Sequence, residues 1–371
     1  MAKVFILGSY APSLTNFRGS LIRELREAGH EVLTAAPDLE GEVRKRLESW
    51  GVRCFLVPMR RHGLNPLEDL RTLSTLVALL RRERPEVFLG YTIKPVLYGV
   101  LAARLARVPR RYAMITGLGF AFSGESLARR LVQAVAERGY RLGLGFCQQV
   151  LFQNPDDLKV FRERRLLNDP SKAVLINGSG VDVEHFRPEP LPQEVSFLLI
   201  ARLLRDKGVR EFVEAARKVR RDHPQVRFRL VGWLDDSPSS ITQAEVDGWV
   251  NEGTVEFLGR LEDVRPAIAQ STVFVLPSYR EGTPRTVLEA MAMGRAVITT
   301  SAPGCRETVV DEDNGFLVPV RDAEALAQAM RRFLENPTLA AQMGARGRAV
   351  AEAKYDVRKV NRVIREAMEL L

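Results

Sequence analysis

The sequence predicts an α/β protein built from two similar halves. Three observations carry this. The chain opens as a strand–helix–strand unit: Val4–Leu7 is apolar and β-prone, Phe17–Ala28 has helical spacing stopped by Gly29, and Glu31–Ala35 is a second strand. The stretch Arg187–Pro192 carries three prolines in six residues and reads as a linker, because it cannot pack as an element. Beyond it the alternation restarts with the strand Ser196–Ala201. With 371 residues the chain is long for one domain and suits two. We therefore expect domains over 1–186 and 193–352, and a last stretch, 353–371, that packs back on the first domain.

The elements follow in order. Gly8–Asn16 is expected to be a loop. It lacks the G-x-G-x-x-G of a dinucleotide fingerprint, although Gly8 can let a ligand approach the backbone closely. Glu42–Trp50 is helical, Arg53–Val57 a strand, and Asn65 caps the helix Leu67–Arg82. The strand Val87–Gly90 delivers Tyr91-Thr92-Ile93-Lys94. A parallel strand presents ligand groups at its carboxyl end, so Lys94 is a candidate for an anionic acceptor, with a solvated lysine the plain alternative. Val96–Ala106 is a helix and Arg110–Thr116 a strand running into Gly117-Leu118-Gly119-Phe120. Ser126–Gly143 is an amphipathic helix carrying Arg129, Arg130, Arg138 and Arg141. Membrane-surface contact and a packed helix with a wet face both remain open for it. Gln149–Gln153 and Ala173–Ile176 are strands, with a helix started by Asn154-Pro155 between them.

In the second half, Ser196–Ala201 leads to Arg202 and Lys207, then the helix Val209–Arg221. Strands follow at Phe228–Val231, Val255–Leu258, Ala296–Thr299 and Gly315–Val318, with helices at Val264–Gln270, Ala323–Leu334, Leu339–Glu352 and Val357–Leu371. The richest stretch is LPSYREGTPRTVLEAMAMG, Leu276–Gly294. Phe274–Leu276 ends a buried strand. Thr283 is the expected N-cap, Pro284 the first helical residue, and Gly294 the stop. A helix start offers backbone N–H groups and a positive dipole end, which suits a phosphate. Glu289 lies in the second turn, and helical side chains lean toward the amino end, so its carboxylate reaches the helix opening. Glu281 lies eight residues earlier. Two carboxylates beside an anion site make sense when the ligand also carries sugar hydroxyls. Arg202 and Lys207 can supply positive charge to a departing diphosphate.

Other chemistries find little support. Cys54, Cys147 and Cys305 are too scattered for a disulfide frame or zinc site, and none of His30, His62, His185 and His223 has a partner at ligand spacing, so no metal is expected. Asp311-Glu312-Asp313 fits a loose D-x-D pattern but reads as a solvated turn before Asn314-Gly315. Apolar runs fall well short of the ~18 residues that span a bilayer. The amino-terminal MAKVFILGSY reads as a strand and not a signal peptide, so a cytoplasmic location is expected. Net charge is +9, unevenly placed. Residues 1–180 hold 28 Lys+Arg against 17 Asp+Glu, an excess of 11, whereas 181–371 hold 27 against 29. A basic first half suits something anionic, a lipid surface, a phosphorylated lipid or nucleic acid, with a basic surface kept for solubility or inherited from an Arg-rich proteome the plain alternative. Nucleic acid is disfavoured, because aromatic residues do not interleave with the basic ones.

Taken together, Arg202…Lys207, the Glu281/Glu289 pair, SYREGTPRTVLEAMAMG and PGCRETVVDEDNGFLVP resemble the retaining glycosyltransferases of family 4. FRGSLIRELREAGHEV, YTIKP, ITGLGF, FQNPDD and INGSGVD resemble its branch of bacterial surface-polysaccharide and lipid-linked-oligosaccharide enzymes. That branch includes enzymes adding N-acetylgalactosamine to undecaprenyl-diphosphate-linked sugars. The resemblance implies a GT-B fold, two Rossmann-like domains facing a cleft, with a nucleotide-sugar donor, UDP-linked, and no metal. It implies that Glu289 holds the ribose, that Arg202, Lys207 and the N–H groups around Thr283, Pro284 and Arg285 hold the diphosphate, and that Glu281 and Gly282 lie at the donor sugar. Gly8 would lie under the phosphates and the base near Leu258 and Leu261. Arg202, Lys207 and Glu281 would carry the catalysis. Arg18, Lys94, Thr116 and Gly117 would face the acceptor, a polyprenyl-diphosphate-linked sugar. The basic first domain would touch the anionic inner leaflet peripherally. Many members carry a histidine where this chain has Tyr91-Thr92. Two rivals are a UDP-sugar 2-epimerase on the same architecture and a basic nucleic-acid-binding protein.

Overall fold

The computed structural model describes residues 1–60, 65–118, 127–235, 237, 239–336 and 338–371, with backbone alone over 127–132. The loop residues Gly119 and Phe120, Ser126, and the side chains of Arg129 and Arg130 therefore lie outside the described residues. The chain forms two compact units: Met1–Ser179 with Arg358–Leu371, and Gly180–Val357.

The first unit holds a seven-stranded parallel sheet. Its strands are β1 (Lys3–Leu7), β2 (Glu31–Ala36), β3 (Arg53–Leu56), β4 (Val87–Tyr91), β5 (Arg110–Ile115), β6 (Gln149–Phe152) and β7 (Ala173–Leu175), in the order β3-β2-β1-β4-β5-β6-β7. Alternate residues of β1 enter opposite cores: Phe5 and Leu7 one, Val4 and Ile6 the other. Burial on both faces explains why these strands read as unbroken apolar runs. The second core is completed by Val360 and Ile364 of the last helix, Val357–Ala367, and by Met368 just past its end. Asn361 on that helix donates to Glu24 at 2.6 Å. The expected helix 17–28 is Gly19–Glu27, and the stretch 8–16, expected to be a loop, holds a short helix of its own, Pro12–Asn16.

The second unit holds a six-stranded parallel sheet: β8 (Ser196–Ile200), β9 (Arg227–Val231), β10 (Glu256–Phe257), β11 (Val273–Leu276), β12 (Ala296–Thr300) and β13 (Gly315–Val318), ordered β10-β9-β8-β11-β12-β13. Phe197 and Leu199 face one core, Leu198 and Ile200 the other. A helix at Gln243–Asn251 has no counterpart in the sequence reading. It begins in a full capping box between Thr242 and Glu245.

The proline-rich stretch 187–192 lies within the second unit, beyond the division at Ser179. Arg295 shows what fastens it. This arginine is 1% exposed and donates to the carbonyl oxygens of Glu189, Pro190, Ile268, Ala269 and Met293 at 2.7–3.1 Å. Prolines cannot donate, yet their carbonyls accept, and one guanidinium gathers two from this stretch. Burial pulls the Arg295 pKa down to about 10, so it stays charged near neutrality. Replacing Arg295 with Met should strand these acceptors and cost roughly 3 kcal/mol or more of the second unit's stability, read by thermal or urea unfolding.

Candidate active site

In both sheets the crossovers leave one central strand in opposite directions. The reversal falls between β1 and β4 in the first sheet and between β8 and β11 in the second. Loops diverge beyond the carboxyl ends there, and ligands of such sheets bind in the resulting crevice.

In the second unit the segment after β8 carries Arg202, then a short turn at Arg205–Lys207. Gly208 follows with φ +70° and opens the helix Val209–Asp222. A Cβ at Gly208 would overlap the carbonyl oxygen of Pro277, so glycine is required on two grounds. This close approach brings the two loops together. Tyr279 N donates to Asp206 O at 2.8 Å, and Lys207 Nζ reaches Glu281 Oε1 at 2.5 Å. The fully buried Ser278 stands with its Oγ 2.8 Å from the same carboxylate oxygen. The Tyr279 hydroxyl donates to Glu211 at 2.5 Å, and Glu281 N donates to Pro303 O at 2.9 Å. Arg202 meets Asp235 at 2.9 Å.

The helix after β11 runs Arg285–Ala292. It begins one residue later than expected: Pro284, with φ −73° and ψ 105°, is the cap, and Thr283 lies outside. The Pro284 carbonyl accepts from both Val287 N and Leu288 N, which fixes the first turn. The helix start thus belongs to Arg285 and Thr286. Glu289 is 7% exposed in the second turn and accepts from Arg285 Nε at 2.8 Å. Burial pushes its carboxyl up from the usual range, and the Arg285 charge partly offsets this. Arg202, Lys207, Glu281, Gly282, Thr283, Pro284, Arg285 and Glu289 all lie on the loops and helix that follow β8 and β11. Leu258 and Leu261 follow β10, where Gly232 N donates to Gly259 O at 2.9 Å. The Arg260 guanidinium stacks over the half-exposed Trp233 ring at 5.2 Å.

The first unit presents a second set. Gly8 sits against the Tyr91 hydroxyl, which a Cβ would strike, so packing alone demands glycine there. Arg18 is 2% exposed with its guanidinium over the Tyr91 ring at 5.3 Å. Lys94 does not stand open at the strand end: it is buried and donates to Asp69 at 2.8 Å, and Tyr98 donates to the other Asp69 oxygen at 2.9 Å. Burial, reinforced by Asp69, holds the Tyr98 phenol far above its usual range. Thr116 and Gly117, the latter at φ +125°, follow β5.

Two family models divide the chain. Residues 15–178 match the glycosyl transferase 4-like domain, and 194–336 match the glycosyl transferases group 1. The chain is a group 1, family 4-like glycosyltransferase. This glycosyltransferase is 28% identical over 368 residues to the N,N'-diacetylbacillosaminyl-diphospho-undecaprenol alpha-1,3-N-acetylgalactosaminyltransferase of Campylobacter jejuni, covering 95% of each chain. It is 29% identical to the UDP-Gal:alpha-D-GlcNAc-diphosphoundecaprenol alpha-1,3-galactosyltransferase of Escherichia coli over 302 residues, 78% of this chain and 76% of that one. Its fold matches that of Anabaena HepE, solved in complex with UDP, with TM-score 0.79 at 19% identity and 100% of each chain covered. The fold is GT-B.

Several residues of the glycosyltransferase's candidate site escaped sequence reasoning: Asp235, Ser278 and Asp69, each a partner to a residue that was named, and Glu211, which accepts from Tyr279. Nothing in spacing reveals them, since their partners lie between 3 and 68 positions away. Among the described residues no group of three or more His, Cys, Asp or Glu is placed to hold a metal. The Asp311-Glu312-Asp313 turn is structural: Glu312 pairs with Arg332, Asp313 with Arg346, and Asp311 accepts from Leu317 N.

Gly208→Ala should cost about 1–3 kcal/mol in thermal unfolding, from the left-handed backbone and the contact at Pro277. Because the folded Glu289 carboxyl titrates above its ordinary 4.5, the stability linked to its protonated form is complete below 4.5 and is lost as pH rises through the folded value. Glu289→Gln should therefore gain on the wild type in melting temperature as pH rises above 4.5.

Proposed function

We propose that this glycosyltransferase moves a hexose or N-acetylhexosamine from a UDP-sugar to a polyprenyl-diphosphate-linked sugar or a surface-polysaccharide precursor, with retention of configuration and without a resident metal. The carrying observation is the reversal point of the second sheet, where Arg202, Lys207, the helix starting at Arg285, and Glu289 follow two adjacent strands. The diphosphate would lie against the helix start, with Arg202 and Lys207 exchanging their carboxylate partners for phosphate oxygens. Glu289, ionised, would accept two hydrogen bonds from the ribose diol, and Glu281 with Gly282 would meet the donor sugar. The base would lie near Leu258 and Leu261. The UDP in the HepE complex and the diphospho-undecaprenol and UDP-Gal in the relatives' names support this donor and acceptor class. The epimerase and nucleic-acid readings draw no support from them.

In the transfer, the bond from the sugar C1 to the β-phosphate oxygen breaks and its electrons stay on that oxygen. The acceptor oxygen bonds C1 from the same face, and its proton passes to the departing phosphate. Arg202 and Lys207 stabilise the charge that grows there. No side chain need act as base. The basic first half, with 28 Lys+Arg against 17 Asp+Glu over 1–180, would hold the enzyme peripherally at the anionic cytoplasmic face of the membrane. No helix among the described residues is long and apolar enough to cross it.

A screen of UDP- and GDP-sugars by thermal unfolding tests the donor class. A UDP-sugar at 100 times its Kd should add about 2.7 kcal/mol of apparent stability, and GDP-sugars should add little. Glu289→Ala should weaken UDP binding roughly tenfold or more by titration calorimetry. Unchanged affinity would remove the ribose assignment. An α-linked product by NMR, formed at the same rate in EDTA, tests retention and metal independence.

A further inference from the structure

Thr92 is the residue after β4, beside the reversal point of the first sheet. Its φ is +68°, in the left-handed region that β-branched side chains avoid. Among the described residues the other non-glycine positions with positive φ are all Arg or Glu, so Thr92 alone is β-branched. Such a backbone persists only where its surroundings enforce it, and these exceptions cluster at functional sites. Here both flanks are fixed. Before it, the Tyr91 hydroxyl lies 2.7 Å from Ser13 Oγ, beneath the Arg18 guanidinium. After it, the buried Lys94 is held by Asp69, which also takes the Tyr98 hydroxyl. The chain then enters a π-helical turn, Pro95–Gly99, a form frequent at functional sites.

The enforced turn sets the Thr92 hydroxyl 2.8 Å from that of Ser9, just beyond β1. Both residues are half-buried. One hydroxyl hydrogen joins the pair; the other, and the remaining lone pairs, can still donate and accept. This pair is neutral, and the lysine two residues on is committed to Asp69. Its chemistry suits an alcohol, which like the pair itself can both donate and accept.

We propose that Thr92 and Ser9 bind a ring hydroxyl of the acceptor's sugar, and that the strained turn aims Thr92 at it. The inference rests on the transferase reading above. It moves acceptor recognition from the charge of Lys94 to two hydroxyls, with Lys94 and Asp69 as positioning residues behind them.

The test uses the full chain, its UDP-sugar donor and a farnesyl-diphosphate-linked N-acetylhexosamine. Thr92→Val and Ser9→Ala should each raise the acceptor KM about tenfold, with donor KM and thermal protection by UDP unchanged. Thr92→Ser should keep a near wild-type acceptor KM. Thr92→Gly, which accepts positive φ without strain, should melt close to the wild type and still show the raised KM. Acceptor KM within twofold of wild type in both Thr92→Val and Thr92→Gly, or a rise confined to the donor KM, would overturn the inference and leave the donor site standing. A wild type that neither transfers sugar nor is protected by UDP would overturn the transferase reading, and this one with it.

Discussion

Two adjacent parallel strands that send their chains in opposite directions cannot be joined by a loop at their carboxyl ends. That constraint shapes both units. Crossovers carry β8 toward β9 and β11 toward β12, so the segments beyond Ile200 and Leu276 separate. The gap must be lined by backbone and polar groups. In the second unit it is held in shape by Gly208 lying against Pro277 and by hydrogen bonds from Ser278 and Tyr279 to the carbonyl of Asp206. Arg202, Lys207, Glu281 and Glu289 all hang from these loops or from the helix that follows them.

The site balances its own charges. Lys207 has Glu281, Arg202 has Asp235 and Arg285 has Glu289, and most of these side chains are largely withdrawn from water. An unpaired charge at such depth would be costly, and each cation has a neighbouring acid instead. Glu289 still carries a cost, visible as its raised pKa, that the i,i+4 arginine only partly relieves. A diol that donates to this carboxylate would remove part of that cost, which is a physical reason for a buried acid to sit where a ribose is expected.

How much was legible follows from what each feature depends on. Strands were read closely because burial on both faces leaves unbroken apolar runs; Gly315–Val318 matches to the residue. Capped helices were also legible, as at Asn65 and Asn154, whose side chains take the N–H of Leu67 and Asp157. The helix Gln243–Asn251 was missed although its T-x-x-E box stands in the sequence, because its apolar stripe is thin: only Val246 and Trp249 are buried. The start at Pro284 slipped by one because the carbonyl that caps is a backbone group. The proline-rich stretch read as a linker because its anchor, Arg295, is more than a hundred positions away. Lys94 was placed at the right strand end, but Asp69, 25 residues earlier, decides which way its charge turns.

The first unit is discontinuous. Its second core is closed by Val360, Ile364 and Met368, which the chain supplies only after passing through the whole of Gly180–Val357. During synthesis from the amino end, Val4, Ile6, Leu21 and Leu25 must wait for their last neighbours. The second unit is contiguous and can close as soon as its own strands emerge. Vectorial synthesis therefore inverts the apparent order, so that the domain begun first is completed last, and a ribosome stalled near residue 357 would leave a greasy face for chaperones to shield.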